Sequence, residues 1–363
     1  MNLRRLALIA LVMVPIVACR KHPPPLTEQE KSTVTEIAAN LKPRCVGRYL
    51  IDVPEDALST GNVTIQGVTF ETKRMSIEEF AREMNAYEAS LKDKKNMSGY
   101  QVLYDYGKVP DTPNSRYFVT LSDLDDTADL GRAVEAYKWD AGYQIKLRIE
   151  ATDSIHSEFE VRMKGTPYEM KDWKVNDVPE KTRLVLNFAA SVRGRADDEI
   201  PGEPGVCFKD GFLPRKAATG EDVSILFALK GRPDVFFDLT TDTDLRESQK
   251  NSLPNRLPQI RADLKDISGR IIRTGPVTLS GIQTDELLVS ATTAARVPGH
   301  LFRIEANITV SGAKTPYLVF EMNNGGVNNF TGYGLKRASL TESEAIAVWD
   351  VISRTLRPRP NGF

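Results

Sequence analysis

Cys19 is the residue whose neighbours point most directly to chemistry. Ile16-Val17-Ala18-Cys19 has the order of a lipobox, and it closes a leader in which Arg4 and Arg5 precede an apolar run from Leu6 to Val17. In such a leader the Cys19 thiol is diacylated, the chain is cut after Ala18, and the new amino group is acylated in turn. The run falls short of the roughly 20 apolar residues of a spanning helix, and its flanks are those of a signal peptide. An uncleaved anchor and an ordinary secretory peptide are the alternatives. Arg20, not Asp, follows the cysteine, so the expected place is the periplasmic face of the outer membrane, held there by lipid. Cys45 and Cys207 remain, in a compartment where disulfides persist. A bridge between them and a pair of buried reduced thiols both stay open, because their separation decides neither.

Other chemistry is hard to find. An esterase of the α/β-hydrolase type needs Gly-x-Ser-x-Gly, and none of Ser98-Gly99, Ser268-Gly269, Ser280-Gly281 and Ser311-Gly312 carries the upstream glycine. The histidines are His22, His156 and His300, with no His-Glu-x-x-His spacing for zinc. There is no phosphate loop and no dinucleotide fingerprint, so no catalytic residue, metal or cofactor is expected. Asp123, Asp125, Asp126 and Asp129 crowd one loop. The glycine and bidentate glutamate of an EF-hand are out of place there, so a solvated loop or a charged rim for a protein partner, with Asp125 and Asp126 as the candidates, stands ahead of a calcium site. Asp238, Asp242 and Asp244 form a looser cluster. The run Asn323 to Gly334 is rich in Asn and Gly and carries Phe330 and Tyr333. Aromatics on adaptable loops suit recognition; alternatively they fold back on the core.

Composition sets the frame around these residues. The chain has 363 residues, 41% hydrophobic and 27% charged, with a formal charge of -1. Loss of residues 1–18 removes two arginines and no acid, leaving about -3, and such a balance gives no footprint for nucleic acid. Residues 20–26 form a Pro-rich spacer. A short helix follows, with Thr27 and Glu30 as a capping box and Val34, Ile37 and Leu41 on one face.

Two halves then repeat one plan. Residues 44–196 open with a strand from Cys45 to Val53, followed by a second from Val63 to Thr72. A helix capped by Ser76 and Glu79 comes next, then several strands, and finally a helix through Leu184, Phe188 and Val192. Tyr143 to Glu150 alternates apolar and polar residues as a half-buried strand does. Residues 205–363 repeat that order, from Cys207 to Leu213 through a helix marked by Leu257, Ile260 and Leu264, with Pro258 in its first turn, to a last helix capped by Thr341 and Glu344. Each half ends in an Arg-rich tail, Arg193-Gly194-Arg195 and Arg357-Pro358-Arg359, and residues 197–204 read as a linker. The expected fold is α+β, two diverged copies of an antiparallel sheet backed by two helices.

At Cys45-Val46-Gly47-Arg48-Tyr49-Leu50-Ile51-Asp52-Val53-Pro54 the chain resembles the immunity proteins paired with type VI secretion lipase effectors of the fourth class. Gly205-Val206-Cys207-Phe208-Lys209-Asp210-Gly211-Phe212 is similar to the run that opens their C-terminal domain, and Arg232-Pro233-Asp234-Val235 to a later segment. The resemblance covers both halves and implies a periplasmic inhibitor that grips a cognate secreted phospholipase between its two domains and blocks substrate access. The partners would be that lipase and, through the lipid on Cys19, the membrane. The alternative is a structural or assembly lipoprotein of the envelope.

Overall fold

The computed structural model describes residues 25–169, 173–246, 249–306, 308–332 and 334–363. Cys19 and the leader, as well as Tyr333, lie outside the described residues. The first half runs α1 (Glu28–Ala38), β1 (Leu41–Val46), β2 (Tyr49–Pro54), β3 (Leu58–Ile65), β4 (Val68–Arg74), α2 (Ile77–Leu91), β5 (Leu103–Gly107), β6 (Ser115–Leu121), β7 (Gly131–Asp140), β8 (Tyr143–Thr152), α3 (Glu158–Met163), α4 (Val178–Ser191) and β9 (Arg193–Gly194). The second runs β10 (Gly205–Phe208), β11 (Gly211–Pro214), β12 (Glu221–Leu229), β13 (Arg232–Asp242), α5 (Leu253–Asp266), β14 (Arg270–Leu279), β15 (Ile282–Thr292), β16 (Pro298–Ala306), β17 (Tyr317–Asn324), α6 (Glu342–Ser353) and β18 (Arg357–Pro358). No helix among the described residues is long and apolar enough to cross a membrane.

The duplication is explicit in the strand order. A 12-stranded antiparallel sheet runs β14-β15-β16-β17-β13-β12-β3-β4-β8-β7-β6-β5, so the second half repeats the first in mirror order across one seam. At that seam β12 pairs with β3 from Glu221 opposite Ile65 to Ala228 opposite Leu58. Two expected sheets are therefore one sheet, joined edge to edge. The join covers two edges that would otherwise present unpaired backbone groups.

The tails are exchanged between the copies. β9, the tail of the first half, pairs with β11 of the second, whereas β18 pairs with β2 of the first. α4 packs on β7 and β8 and touches β11; α6 packs on β16 and β17 and touches β2. Strand alternation assigns the faces. Val119, Val134, Ala136, Leu147, Leu288 and Phe320 share the main core with Val185 and Phe188 of α4 and Val348 and Trp349 of α6. Phe118 and Tyr137 point the other way, against Phe80 and Met84 of α2. Leu287 and Val289 do the same against Leu253 and Leu264 of α5. Hence α2 and α5 sit on the face opposite α4 and α6, over the outer strands of their own halves.

Local signals explain most boundaries. Thr27, Ser76 and Thr341 each accept from the N3 backbone while Glu30, Glu79 and Glu344 reach back, three complete capping boxes. Two expectations need correction. Leu41 belongs to β1 rather than to the first helix. α5 begins at Leu253, so Pro258 lies inside it and Pro254 occupies the first turn. An interior proline removes one helical hydrogen bond, and the packing of Leu253, Leu257, Ile260 and Leu264 on β15 carries the helix through it.

Candidate functional site

The charged residues of the Cys45 motif knit the copies together. Cys45 and Cys207 occupy matching hairpin positions, opposite Leu50 and Phe212 respectively, and are bonded to each other with Sγ–Sγ 2.05 Å. Gly47 exchanges two 2.8 Å backbone hydrogen bonds with Cys207. It sits at φ +56°, and a Cβ there would come within 2.7 Å of Thr241 Oγ1, so this glycine is required twice over. Arg48 donates from Nε and Nη2 to the two Glu221 carboxylate oxygens, both at 2.8 Å, and from Nη1 to the Gly362 and Arg215 carbonyls. Both side chains of this pair are almost fully buried.

The Arg-rich tails do the same work. Arg195 donates to the carbonyls of Gly211, Glu199, Phe208 and, in the first hairpin, Cys45. Arg359 donates to Pro201, Glu203 and Gly205. Burial, with Arg48 and Arg195 nearby, pushes Arg359 down to about 10. Residues 197–204 are accordingly pinned rather than a loose linker: Asp197 accepts from Ser59 Oγ at 2.7 Å and from the Asp210 N–H at 3.1 Å.

The seam leaves one broad surface uncovered by helices, the face of the central strands between α2 and α5. By alternation it presents Thr60, Asn62 and Thr64 of β3, Thr69, Glu71 and Lys73 of β4, Asp222, Ser224 and Leu226 of β12, and Asp238, Thr240 and Asp242 of β13. Asn62, Thr69 and Asp222 are exposed, and Ser224, Asp238 and Asp242 half-buried. The two sides differ in charge. On the first half Lys146 and Arg148 meet Glu135 at 3.0 and 3.7 Å, and Arg148 meets Glu150 at 3.2 Å. On the second half the acids outnumber their partners. Although its side chain reaches solvent, partial desolvation against the neighbouring strands, then Asp242, raises the Asp222 pKa. Burial also raises that of Glu321, with Asp238 and Glu305 adding to it against the opposing Arg303.

The sequence-derived candidates do not converge on this face. Phe330 is half-buried, in a loop held on the start of β13: Asn328 Nδ2 donates to the Pro233 carbonyl at 2.7 Å, and Ser339 donates from N and Oγ to the buried Asp234 carboxylate. Asp125 is exposed and Asp126 half-buried, in the β6–β7 loop. That loop is shaped by its own side chains, with Asp125 N–H donating to Asp123 and Ala128 N–H to Asp126. The strand registers place the Phe330 loop and the Asp125–Asp126 loop at opposite ends of the sheet, so they are not one patch. Asp129 is structural. Burial opposes its charge, but hydrogen bonds from Ser157 Oγ and the Phe159 and Glu158 N–H groups hold its carboxyl below the usual range. His156 bonds Asp153 from Nδ1 at 2.9 Å, and His300 contacts Asn324 and Glu342. Neither meets a Ser, Thr or Cys nucleophile among the described residues.

Comparison with known proteins decides the family. Residues 42–195 match the N-terminal domain of Tle cognate immunity protein 4, and residues 199–361 match its C-terminal domain. The chain belongs to the Tle cognate immunity protein 4 family. A search of curated protein sequences gave no match. Among solved structures, the crystal structure of a Tle4–Tli4 complex is similar with a TM-score of 0.69 and 17% identity, covering 90% of this chain and 99% of that one. The apo immunity protein TplEi of T6SS from Pseudomonas aeruginosa aligns with a TM-score of 0.66 and 18% identity, covering 89% of this chain and 98% of its own. The same immunity protein with its "L" peptide aligns at 0.62 and 18%, covering 89% of this chain and 99% of its own. At these identities the likeness speaks for the fold, and that fold is the mixed α+β architecture described above.

Proposed function

We propose that this immunity protein binds a cognate type VI secreted phospholipase through the open face of its central strands and blocks substrate access, with no bond-breaking of its own. The family match over both halves carries the reading. The frame supports it: a continuous sheet, a disulfide across the seam and the buried Arg48–Glu221 pair hold the halves in one relation, so the partner meets a preformed surface. Preorganisation lowers the ordering cost of association, and a standard interface asks this face for only about 800 Å², half of the roughly 1,600 Å² buried in total. The lipobox at Cys19 supports tethering in the periplasm at the outer membrane, beside the lipids such an enzyme attacks.

The test is direct. The phospholipase encoded beside this protein is mixed with the purified chain, and complex formation and lipid hydrolysis are followed together. A stable complex and loss of hydrolysis near one equivalent are expected; undiminished turnover with the protein in excess overturns the reading. Fractionation of cells making the Cys19→Ser chain tests the tether, which predicts movement from the membrane to the soluble periplasm.

A further inference from the structure

The described chain begins at the exposed Pro25 and enters α1 at its cap, Thr27. α1 lies along α6, and two contacts fix it to the end of the sheet where β13 starts. Thr341 Oγ1 donates to Glu30 at 2.8 Å, and Arg232 meets Glu36 at 3.4 Å. The loop from β17 to α6 closes over that same end. It is held by the bonds of Asn328 and Thr331 to the Pro233 carbonyl and of Ser339 to Asp234. Val327 is 57% exposed there, and Phe330 and Leu335 are half-buried. Lys336 and Arg337 are exposed and meet no carboxylate among the described residues.

Tether length and charge identify what covers this loop. Six residue steps separate Cys19 from Pro25, at most about 20 Å of chain. A lipid on Cys19 therefore keeps this end close to the bilayer. The acidic Asp125–Asp126 loop is a strand length away at the other end of the sheet, roughly 30 Å. The acids of α1 are engaged: Glu28 with Lys31 at 2.7 Å, Glu30 in the capping box and Glu36 with Arg232. Glu342 is paired with Arg270, and Glu55 and Asp56 share one cleft with Lys230 and Arg232. Lys336 and Arg337 are left over, and Arg20 and Lys21 adjoin the acylated residue in the sequence. Apolar side chains beside basic ones suit the interfacial layer of a membrane. A short tether raises the effective concentration, so a weak contact suffices.

We propose that the β17–α6 loop docks on the phospholipid surface, with Val327, Phe330 and Leu335 in the headgroup layer and Lys336 and Arg337 on lipid phosphates. This deepens the tethering reading and rests on it. Because α1 and α6 lie on the side of the sheet away from α2 and α5, docking at this end leaves the open face free for the lipase.

The test supplies the tether by chemistry. Cys19 is the one thiol of the mature chain outside the Cys45–Cys207 bond. Residues 19–363 are coupled through it to a maleimide lipid in phosphatidylethanolamine–phosphatidylglycerol vesicles; a second sample is capped with a soluble maleimide. Hydrogen exchange is read on both, and on the capped chain with the lipase added. Exchange across residues 327–337 should slow about fivefold or more on the vesicles alone. Lys336→Gln with Arg337→Gln, melting as wild type does, should return it to the capped rate, each basic residue near an anionic surface being worth roughly fivefold. Equal exchange in coupled and capped chains, or protection that survives the double variant, overturns the proposal. Protection of the loop by the lipase in solution assigns it to that partner and overturns the proposal as well. Fractionation of the Cys19→Ser chain judges the tether separately, so failure of one reading is distinguishable from failure of the other.

Discussion

Replacing Arg48 by Ala strands a carboxylate in the seam. Glu221 loses both 2.8 Å hydrogen bonds and keeps, among charged partners, Arg215 Nε at 3.6 Å. The Gly362 and Arg215 carbonyls lose their donor as well. Breaking one side of a buried pair costs about 3–5 kcal/mol, against a total stability of roughly 5–15 kcal/mol. Large domains lose about 2–4 °C per kcal/mol; at the lower figure, which suits a chain of this length, the melting temperature should fall by about 6–10 °C. The partner control is Arg48→Met with Glu221→Leu, which removes the paired charges together and should recover part of the loss, the Gly362 and Arg215 carbonyls and the Arg215 guanidinium staying without these partners. Chemical denaturation of the wild type, Arg48→Ala and the double variant reads all three. A single variant within about 1 kcal/mol of wild type would refute the role given to this pair, as would a double variant no better than the single.

The exchanged tails predict that residues 25–196 and 197–363 do not fold cooperatively when made apart but copurify when made together; a lone half that melts cooperatively as a monomer would contradict the swap. Cys45→Ala with Cys207→Ala opens a crosslink spanning 162 residues and should cost about 2–5 kcal/mol by denaturant melt. Asp129, Asp197 and Glu286 have depressed folded pKa values despite burial, held down by hydrogen bonds, from Ser157 to Asp129, from Ser59 to Asp197 and from Arg273 to Glu286. Their stabilisation is complete above the unfolded carboxyl range near pH 4 and is lost as pH falls through the folded values. Stability measured from pH 6 to pH 2 should drop in that acid window, less steeply in Asp129→Asn. Asp222 is the reverse case, so Asp222→Asn should slightly stabilise the chain at neutral pH while weakening lipase binding; unchanged affinity would remove Asp222 from the interface.

Much of this fold was legible locally. The three capping boxes are spelled out within four residues each, and the alternation through Tyr143–Glu150 describes one strand and both its faces. The repeated order of elements followed from the same short-range signals. The join of β3 to β12 was not legible, because any two polar-faced strands are plausible partners and only the whole topology leaves these two edges free. The bond between Cys45 and Cys207 becomes inevitable once their hairpins meet at the seam, yet their spacing along the chain carries no trace of it. Arg48, Glu221, Arg195 and Arg359 were missed as buried charges, since isolated arginines read as surface. The clue was the repeated Arg-x-Arg tail at matching positions of both halves. The separation of the candidate loops was hidden for a related reason: composition marks Phe330 and Asp125 as unusual but does not say which end of the sheet they occupy.

The measurement that bears most directly on obstruction by the open face is a titration of lipase turnover with the wild type and with Asn62→Arg plus Asp222→Lys, two changes confined to that face. The account predicts that wild type stops hydrolysis at one equivalent, whereas the double variant, folded and melting no lower than wild type, needs at least a tenfold excess. Identical titration curves would contradict it.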